Sequence, residues 1–175
     1  MAGRAAFPGS FDPLTIAHLG IAEAARDRLA LEQVDFVISI VALAKEEKAG
    51  LRLQERVACL ELAAETRPWM GVVVTDLQYV SDIAEPYDVV IVGADKWNQL
   101  HDVRYHPSPE AHEAALAKLP RPLIVPRPPW PVPDEHRLEV PPHLTEVSAT
   151  AVREGKVEWM APEARQIGAW GSPGD

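Results

Sequence analysis

Ala5-Ala6-Phe7-Pro8-Gly9-Ser10-Phe11-Asp12-Pro13-Leu14-Thr15-Ile16-Ala17-His18 runs from a short apolar strand, through a turn, into the start of a helix. Pro8-Gly9 ends the strand, and Gly9 permits a tight turn with close backbone approach. Pro13 sets the kink before the helix. From Ala17 to Leu29 the chain is alanine-rich, with Ile21, Ala25 and Leu29 at helical spacing. The same alternation continues downstream. Phe36 to Val41 is a mostly β-branched apolar run, broken only by Ser39, as expected of a strand buried on both faces. Leu53, Val57, Leu60 and Ala64 form one apolar stripe of a helix. Val72-Val73-Val74, Val89 to Val92 and Leu123-Ile124-Val125 read as strands, and Glu110 to Leu119 as a helix. Strand–helix alternation of this kind predicts a single-domain α/β fold over residues 1–175: a Rossmann-like parallel sheet with helices on both faces. Ligands of such sheets bind beyond the carboxyl ends of the strands, so the residues after each strand are the candidates.

Composition narrows the class. The chain has 175 residues, 47% hydrophobic and 25% charged, enough apolar material for a core. Seventeen basic against 26 acidic side chains give a net charge of -9, which argues against a nucleic-acid coat. No apolar run approaches the roughly 18 residues of a membrane span. No signal-peptide core follows Met1, and the chain reads as cytoplasmic. Cys59 is the single cysteine, which excludes an intrachain disulfide. His101, His106, His112, His136 and His143 lack metal-ligand spacing, so no metal is assigned to protein side chains. Proline is concentrated between Pro107 and Pro142. A stiff proline-rich loop is expected over about 120–142, with Arg127-Pro128-Pro129-Trp130-Pro131-Val132-Pro133 at its centre, and a helical tail over 148–175. That loop alone would serve a scaffold.

Two helix starts carry the chemistry. Thr15 and His18 share a face in the first turn of the first helix, where free N–H groups favour an anion and a histidine can donate to a phosphate oxygen. Ser148 is suited to cap a last helix, with Thr150 behind it and Arg153 placed to reach back as a fork. Each, taken singly, is equally an ordinary capped helix.

Together they resemble a known family. Gly9-Ser10-Phe11-Asp12-Pro13-Leu14-Thr15-Ile16-Ala17-His18 is similar to Gly-x-Phe-Asp-Pro-x-(His/Thr)-x-Gly-His, the first signature of the nucleotidyltransferase superfamily named for its His-x-Gly-His motif. Ala17 stands in the place of the glycine. Val147-Ser148-Ala149-Thr150-Ala151-Val152-Arg153 is similar to the second signature, Ile-Ser-Ser-Thr-x-Ile-Arg, with Ala149 for the second serine. Gly93-Ala94-Asp95 resembles the family's Gly-x-Asp turn against ATP.

The resemblance implies nucleotidyl transfer: an acceptor phosphate attacks the α-phosphorus of ATP and pyrophosphate leaves. It implies ATP contacts at Gly9, Ser10, Phe11, His18, Gly93, Asp95, Ser148, Thr150 and Arg153, with His18, Thr15 and Arg153 catalytic. Mg²⁺ arrives with ATP. Lys45 and Lys48 are expected on the acceptor's phosphate, in a segment, 44–56, whose four basic and three acidic residues make it locally non-negative. Arg52 and Arg56 match basic residues of the relatives' second helix. The tail from Arg153 through Ala164, and Arg121 to Pro128, are similar to nicotinate/nicotinamide mononucleotide adenylyltransferases, which implies a pyridine mononucleotide acceptor and a place in NAD biosynthesis. Thr15 and the chain length also fit phosphopantetheine adenylyltransferases. Cytidylyl transfer to a polyol phosphate and a non-catalytic nucleotide-binding relative remain as alternatives. The partners expected are ATP and a small phosphate-bearing acceptor, with a homo-oligomer left open, and neither nucleic acid nor membrane.

Overall fold

In the computed structural model, residues 3–41 and 53–167 are described. Five strands, β1 (Arg4–Pro8), β2 (Gln33–Ser39), β3 (Met70–Thr75), β4 (Val89–Gly93) and β5 (Arg121–Val125), form one sheet in the order β3-β2-β1-β4-β5. Every neighbouring pair is parallel, with Phe7 opposite Phe36, Phe36 opposite Val72, Ala5 opposite Val89 and Ile91 opposite Leu123. The described helices are α1 (Ile16–Leu29), α2 (Leu53–Ala64), α3 (Val80–Ala84), α4 (Ala94–His101), α5 (Pro109–Lys118), α6 (Ala149–Arg153) and α7 (Pro162–Ile167). This is a Rossmann-like α/β domain. Chain direction across the sheet reverses between β1 and β4, so the loops leaving these two strands flank the switch-point crevice where ligands bind.

The period-2 pattern sorts strand side chains onto two faces. Phe7, Val34, Phe36, Ile38, Ile91 and Leu123 meet Leu19, Ala22, Ala25, Leu60 and Ala63 of α1 and α2 on one face. Ala6, Val37, Val90, Val92 and Ile124 meet Ile83, Ala84 and Ala94 on the other. Phe36 and Leu60 are fully buried, and each such side chain contributes about 1.5–3 kcal/mol. Pro122 is accommodated because β5 is an edge strand, laddered to β4 on one side and met on the other by the isolated Ile124–Arg137 bridge.

Some expectations shift. The strand expected over Phe36–Val41 starts at Gln33 and ends at Ser39, and Ile40 and Val41 are already helical. Its parallel ladder ends where Ser39 meets Thr75, and apolarity alone does not mark that end. In α2 the buried residues are Arg56, Cys59, Leu60 and Ala63, so the inward stripe is rotated from Leu53-Val57-Leu60-Ala64, whose other members are partly buried. The proline-rich segment opens with β5, so its irregular part runs from 126 to 142 and includes short turns at Asp134–His136 and Pro142–Leu144. Of the tail, residues 168–175 lie outside the described residues.

Asp35 is a charged residue buried in β2. A buried carboxylate needs partners, and it accepts from Arg4 Nη2 at 2.8 Å, from Tyr87 Oη at 2.8 Å and from Gln33 Nε2. Gly71 stands beside it on β3 because a Cβ there would collide with Oδ1. Burial, with the hydrogen bond to Asp35, pushes the Tyr87 phenol up from 10.0 to about 12. A raised folded-state value means that the stability contributed by the Tyr87 proton is complete below pH 10 and is lost as pH rises through about 12. The midpoint of urea unfolding is therefore expected to fall more steeply between pH 10 and 12 in the native chain than in Tyr87→Phe. Equal slopes would remove Tyr87 from the alkaline transition.

Candidate active site at the carboxyl edge of the sheet

The loop from Gly9 to Thr15 lies between β1 and α1, and nearly all of its side chains are committed. Gly9 N–H donates to Val37 O at 3.1 Å, which holds the loop over the end of β2. Phe11 is 1% exposed and has a left-handed φ of 47°, uncommon for a bulky residue. Its ring packs edge-on to Phe7 and His18, with centroids 5.6 and 5.0 Å away. A Cβ on Gly9 would come within 2.9 Å of that ring, so this turn requires glycine.

Thr15 caps α1. Its hydroxyl accepts from His18 N–H at 3.3 Å, while its own backbone N–H donates to His18 Nδ1 at 3.0 Å, a reciprocal capping box in which histidine stands at the third helical position. Because a backbone N–H can only donate, Nδ1 is the acceptor, and the neutral ring carries its proton on Nε2. Burial, and then the positive charge of Arg127, lower the His18 pKa from 6.5 to about 4. At neutral pH His18 is therefore an uncharged hydrogen-bond donor through Nε2. Thr15 is itself buried, with its hydroxyl turned to its own helix.

The second signature reaches the same loop. Met160 forms an antiparallel bridge with Thr15, and Ala161 N–H donates to Leu14 O at 3.0 Å. Ser148 caps α6 through Ala151 N–H at 3.1 Å. Arg153, the last residue of α6, donates through Nη2 to Thr150 Oγ1 at 3.0 Å and through Nη1 to the main-chain carbonyl of Asp12. Asp12 Oδ2 lies 3.1 Å from Arg56 Nη2 and 4.0 Å from Arg153 Nη1. Arg56 also donates to Ser10 O at 3.3 Å. The Asp12 carboxylate thus ties α2 and α6 to the loop.

The β4 end supplies another part. Gly93 is the N-cap of α4, and Asp95 sits in the first turn, where Arg127 Nε approaches Oδ1 at 3.8 Å. A Cβ at position 93 would come within 2.6 Å of Asp95 Oδ1 and 3.1 Å of Arg127 Nε, so glycine makes room for this pair. Among the described residues, the guanidinium groups of Arg56, Arg153 and Arg127 stand here against the carboxylates of Asp12 and Asp95. A cleft of about 270 Å³ opens at the ends of β1, β2 and β4. Val37, Val80, Ile83 and Val92 give it apolar walls, and Ser10, Ser39, Gln78 and Lys96 are its polar lining.

Of the residues singled out from sequence, Phe11, Thr15, His18 and Arg153 meet at one loop, Thr150 supports Arg153, Ser148 caps α6, and Asp95 approaches Arg127, whose charge acts on His18. Gly9, Ser10 and Gly93 line the cleft, whereas His18 and Arg153 are not among its lining residues. Lys45, Lys48 and Arg52 lie outside the described residues. Among the described residues no group of three or more His, Cys, Asp or Glu is placed to hold a metal ion, and no helix is long and apolar enough to cross a membrane. Trp97 packs against His101 at 4.2 Å between centroids, and Trp130 is 46% exposed. Sequence reasoning passed over Asp12 and Arg127 as site residues, although both lie within quoted motifs, and gave no sign of Gln78 or Lys96.

The cytidylyltransferase-like family model matches residues 6–155. Two curated proteins described as "Probable nicotinate-nucleotide adenylyltransferase", one from Treponema pallidum subsp. pallidum and one from the Nichols strain of Treponema pallidum, are each 35% identical over 68 residues. The match spans 39% of this chain and 33% of each of those proteins, about a third of their length.

Proposed function

The chain belongs to the cytidylyltransferase-like family, and from that premise we propose that it is an adenylyltransferase, moving AMP from ATP to a pyridine mononucleotide. The observation that carries the reading is the meeting of the two signatures: Arg153 and His18 are both anchored on the Gly9–Thr15 loop, beside the switch-point end of the sheet. In the proposed reaction, an acceptor phosphate oxygen bonds to the α-phosphorus, the bond from that phosphorus to the bridging oxygen breaks, and pyrophosphate departs. Nothing in this route requires a covalent enzyme intermediate, so rate comes from positioning and charge stabilisation.

His18 donates through Nε2 to a phosphate oxygen without first having to lose a proton. Arg153 and Arg127 supply the positive charge that favours the departing pyrophosphate. Thr15 acts through His18, by fixing its tautomer and ring. Ser148 and Thr150 hold α6 and the Arg153 fork in place. Mg²⁺ enters as part of the substrate, on the triphosphate. The acceptor occupies the cleft, its phosphate toward Gly9 and Ser10, with Lys45 and Lys48 as further candidates for holding it. The pyridine reading is supported by the likeness of the Arg153–Ala164 tail and by the printed names of the Treponema proteins.

A panel of ATP and CTP against nicotinate mononucleotide, its amide, phosphopantetheine and glycerol phosphate tests this by pyrophosphate release. The largest kcat/KM is expected for ATP with one of the two pyridine mononucleotides. Preference for CTP, or release from no pair, overturns the proposal.

A further inference from the structure

We infer that Lys96 is the cation that receives an anionic group of the acceptor in the cleft, and so sets acceptor choice; this rests on the reading above. Among the described lining residues Lys96 is the sole charged one, and no carboxylate faces it there. Four walls are aliphatic, Val37, Val80, Ile83 and Val92. They leave the Lys96 ammonium as the charged partner that the described lining offers an anion. The cleft thus suits a molecule with an apolar, ring-sized body and a negative substituent. Ser10, Ser39 and Gln78 serve as neutral hydrogen-bonding groups around it.

Backbone geometry adds to this. Lys96 lies in the first turn of α4, whose N-cap is Gly93 and has no side-chain cap. The uncapped N–H groups and the positive end of the helix favour the same sign of ligand. Asp95, the acid in that turn, is drawn toward Arg127. The Lys96 ammonium donates to Gln99 Oε1 at 3.2 Å, an exposed bond along its own helix that is easily exchanged for a ligand oxygen. A pyridine mononucleotide offers two anions of this kind, its phosphate and, in the acid form, the ring carboxylate. Both are oxyanions that an ammonium recognises as a point charge.

The test is calorimetric, on the whole chain, with and without a non-hydrolysable ATP analogue, titrating nicotinate mononucleotide, its amide, phosphopantetheine and glycerol phosphate. Lys96→Met is expected to weaken the acceptor by about 10- to 30-fold, from the loss of one charge-assisted bond. Affinity for the ATP analogue stays unchanged, and Lys96→Arg restores most of the loss. Weakening of the acid alone assigns Lys96 to the carboxylate. Equal weakening of acid and amide assigns it to the phosphate. Unchanged binding of both by Lys96→Met overturns the inference while leaving the pyridine reading in place. Binding of only a non-pyridine phosphate, with the same dependence on Lys96, overturns the pyridine reading and keeps this one. If the wild-type chain binds none of the four, both fall.

Discussion

Replacing His18 with alanine is expected to lower pyrophosphate release by roughly 10²–10³-fold, the loss typical of one preorganised donor to developing charge. The effect belongs in kcat more than in the KM for ATP, because a donor aimed at the departing pyrophosphate gains strength as charge builds there. The structure specifies which nitrogen acts. Thr15 N–H occupies Nδ1, so only Nε2 remains to donate. His18→Asn and His18→Gln separate this geometry from bulk, since one of the two amides can place an N–H near the lost Nε2. Acidity offers a second check. With its pKa lowered to about 4, His18 in the ligand-free protein is expected to show no ring titration by NMR between about pH 6 and 8. The linkage sign is fixed by that depression: its contribution to stability is present above pH 6.5 and is lost as pH falls toward 4, where the unfolded chain has already taken up the proton. Equal turnover by His18→Ala and the wild type would remove the residue from the mechanism.

The parallel sheet was readable because its strands are short apolar runs flanked by turn residues and alternating with helices, whereas the order β3-β2-β1-β4-β5 leaves no mark in any local stretch. Helices α3 and α4 were not readable. The first is five residues long, and α4, eight residues long, offers only Ala94, Trp97 and Leu100 as its apolar stripe, too short to stand out after the strand. Arg56 shows a second kind of failure. Periodicity directs a charged residue of an amphipathic helix outward, yet Arg56 is 6% exposed. What makes burial tolerable is a carboxylate far away in the chain, Asp12, and a partner at that separation leaves no trace in local pattern. The same holds for Arg127 and Asp95, brought together from the ends of β5 and β4. The motifs themselves were legible because each is a continuous stretch: Ser148 caps α6 as its residue type suggests, while Thr15, expected to share the first turn with His18, is the cap of α1.

Asp12→Ala carries the largest expected cost to stability. The Asp12 and Arg56 side chains are 9% and 7% exposed, so little water is available to replace one partner when the other is removed. Truncation takes from the buried Arg56 guanidinium the carboxylate 3.1 Å away, and breaking a pair of this kind costs about 3–5 kcal/mol. Against a total stability of about 5–15 kcal/mol for a domain, that is a substantial fraction. The loss is not confined to the pair. Arg56 also donates to Ser10 O, and Arg153 to Asp12 O, so releasing Asp12 loosens the loop that presents Gly9 and Ser10 to the cleft and holds His18 through Thr15. Urea unfolding should show the midpoint shifted strongly downward with little change in m. The double variant Asp12→Ala/Arg56→Met should recover part of the loss, because it removes the buried guanidinium as well as the carboxylate beside it. It should not recover pyrophosphate release, because the loop that carries Gly9, Ser10 and Thr15 then lacks its ion-pair tie to α2. An Asp12→Ala stability within about 0.5 kcal/mol of the wild type, the range of ordinary surface substitutions, would show that the buried ion pair does not hold this loop.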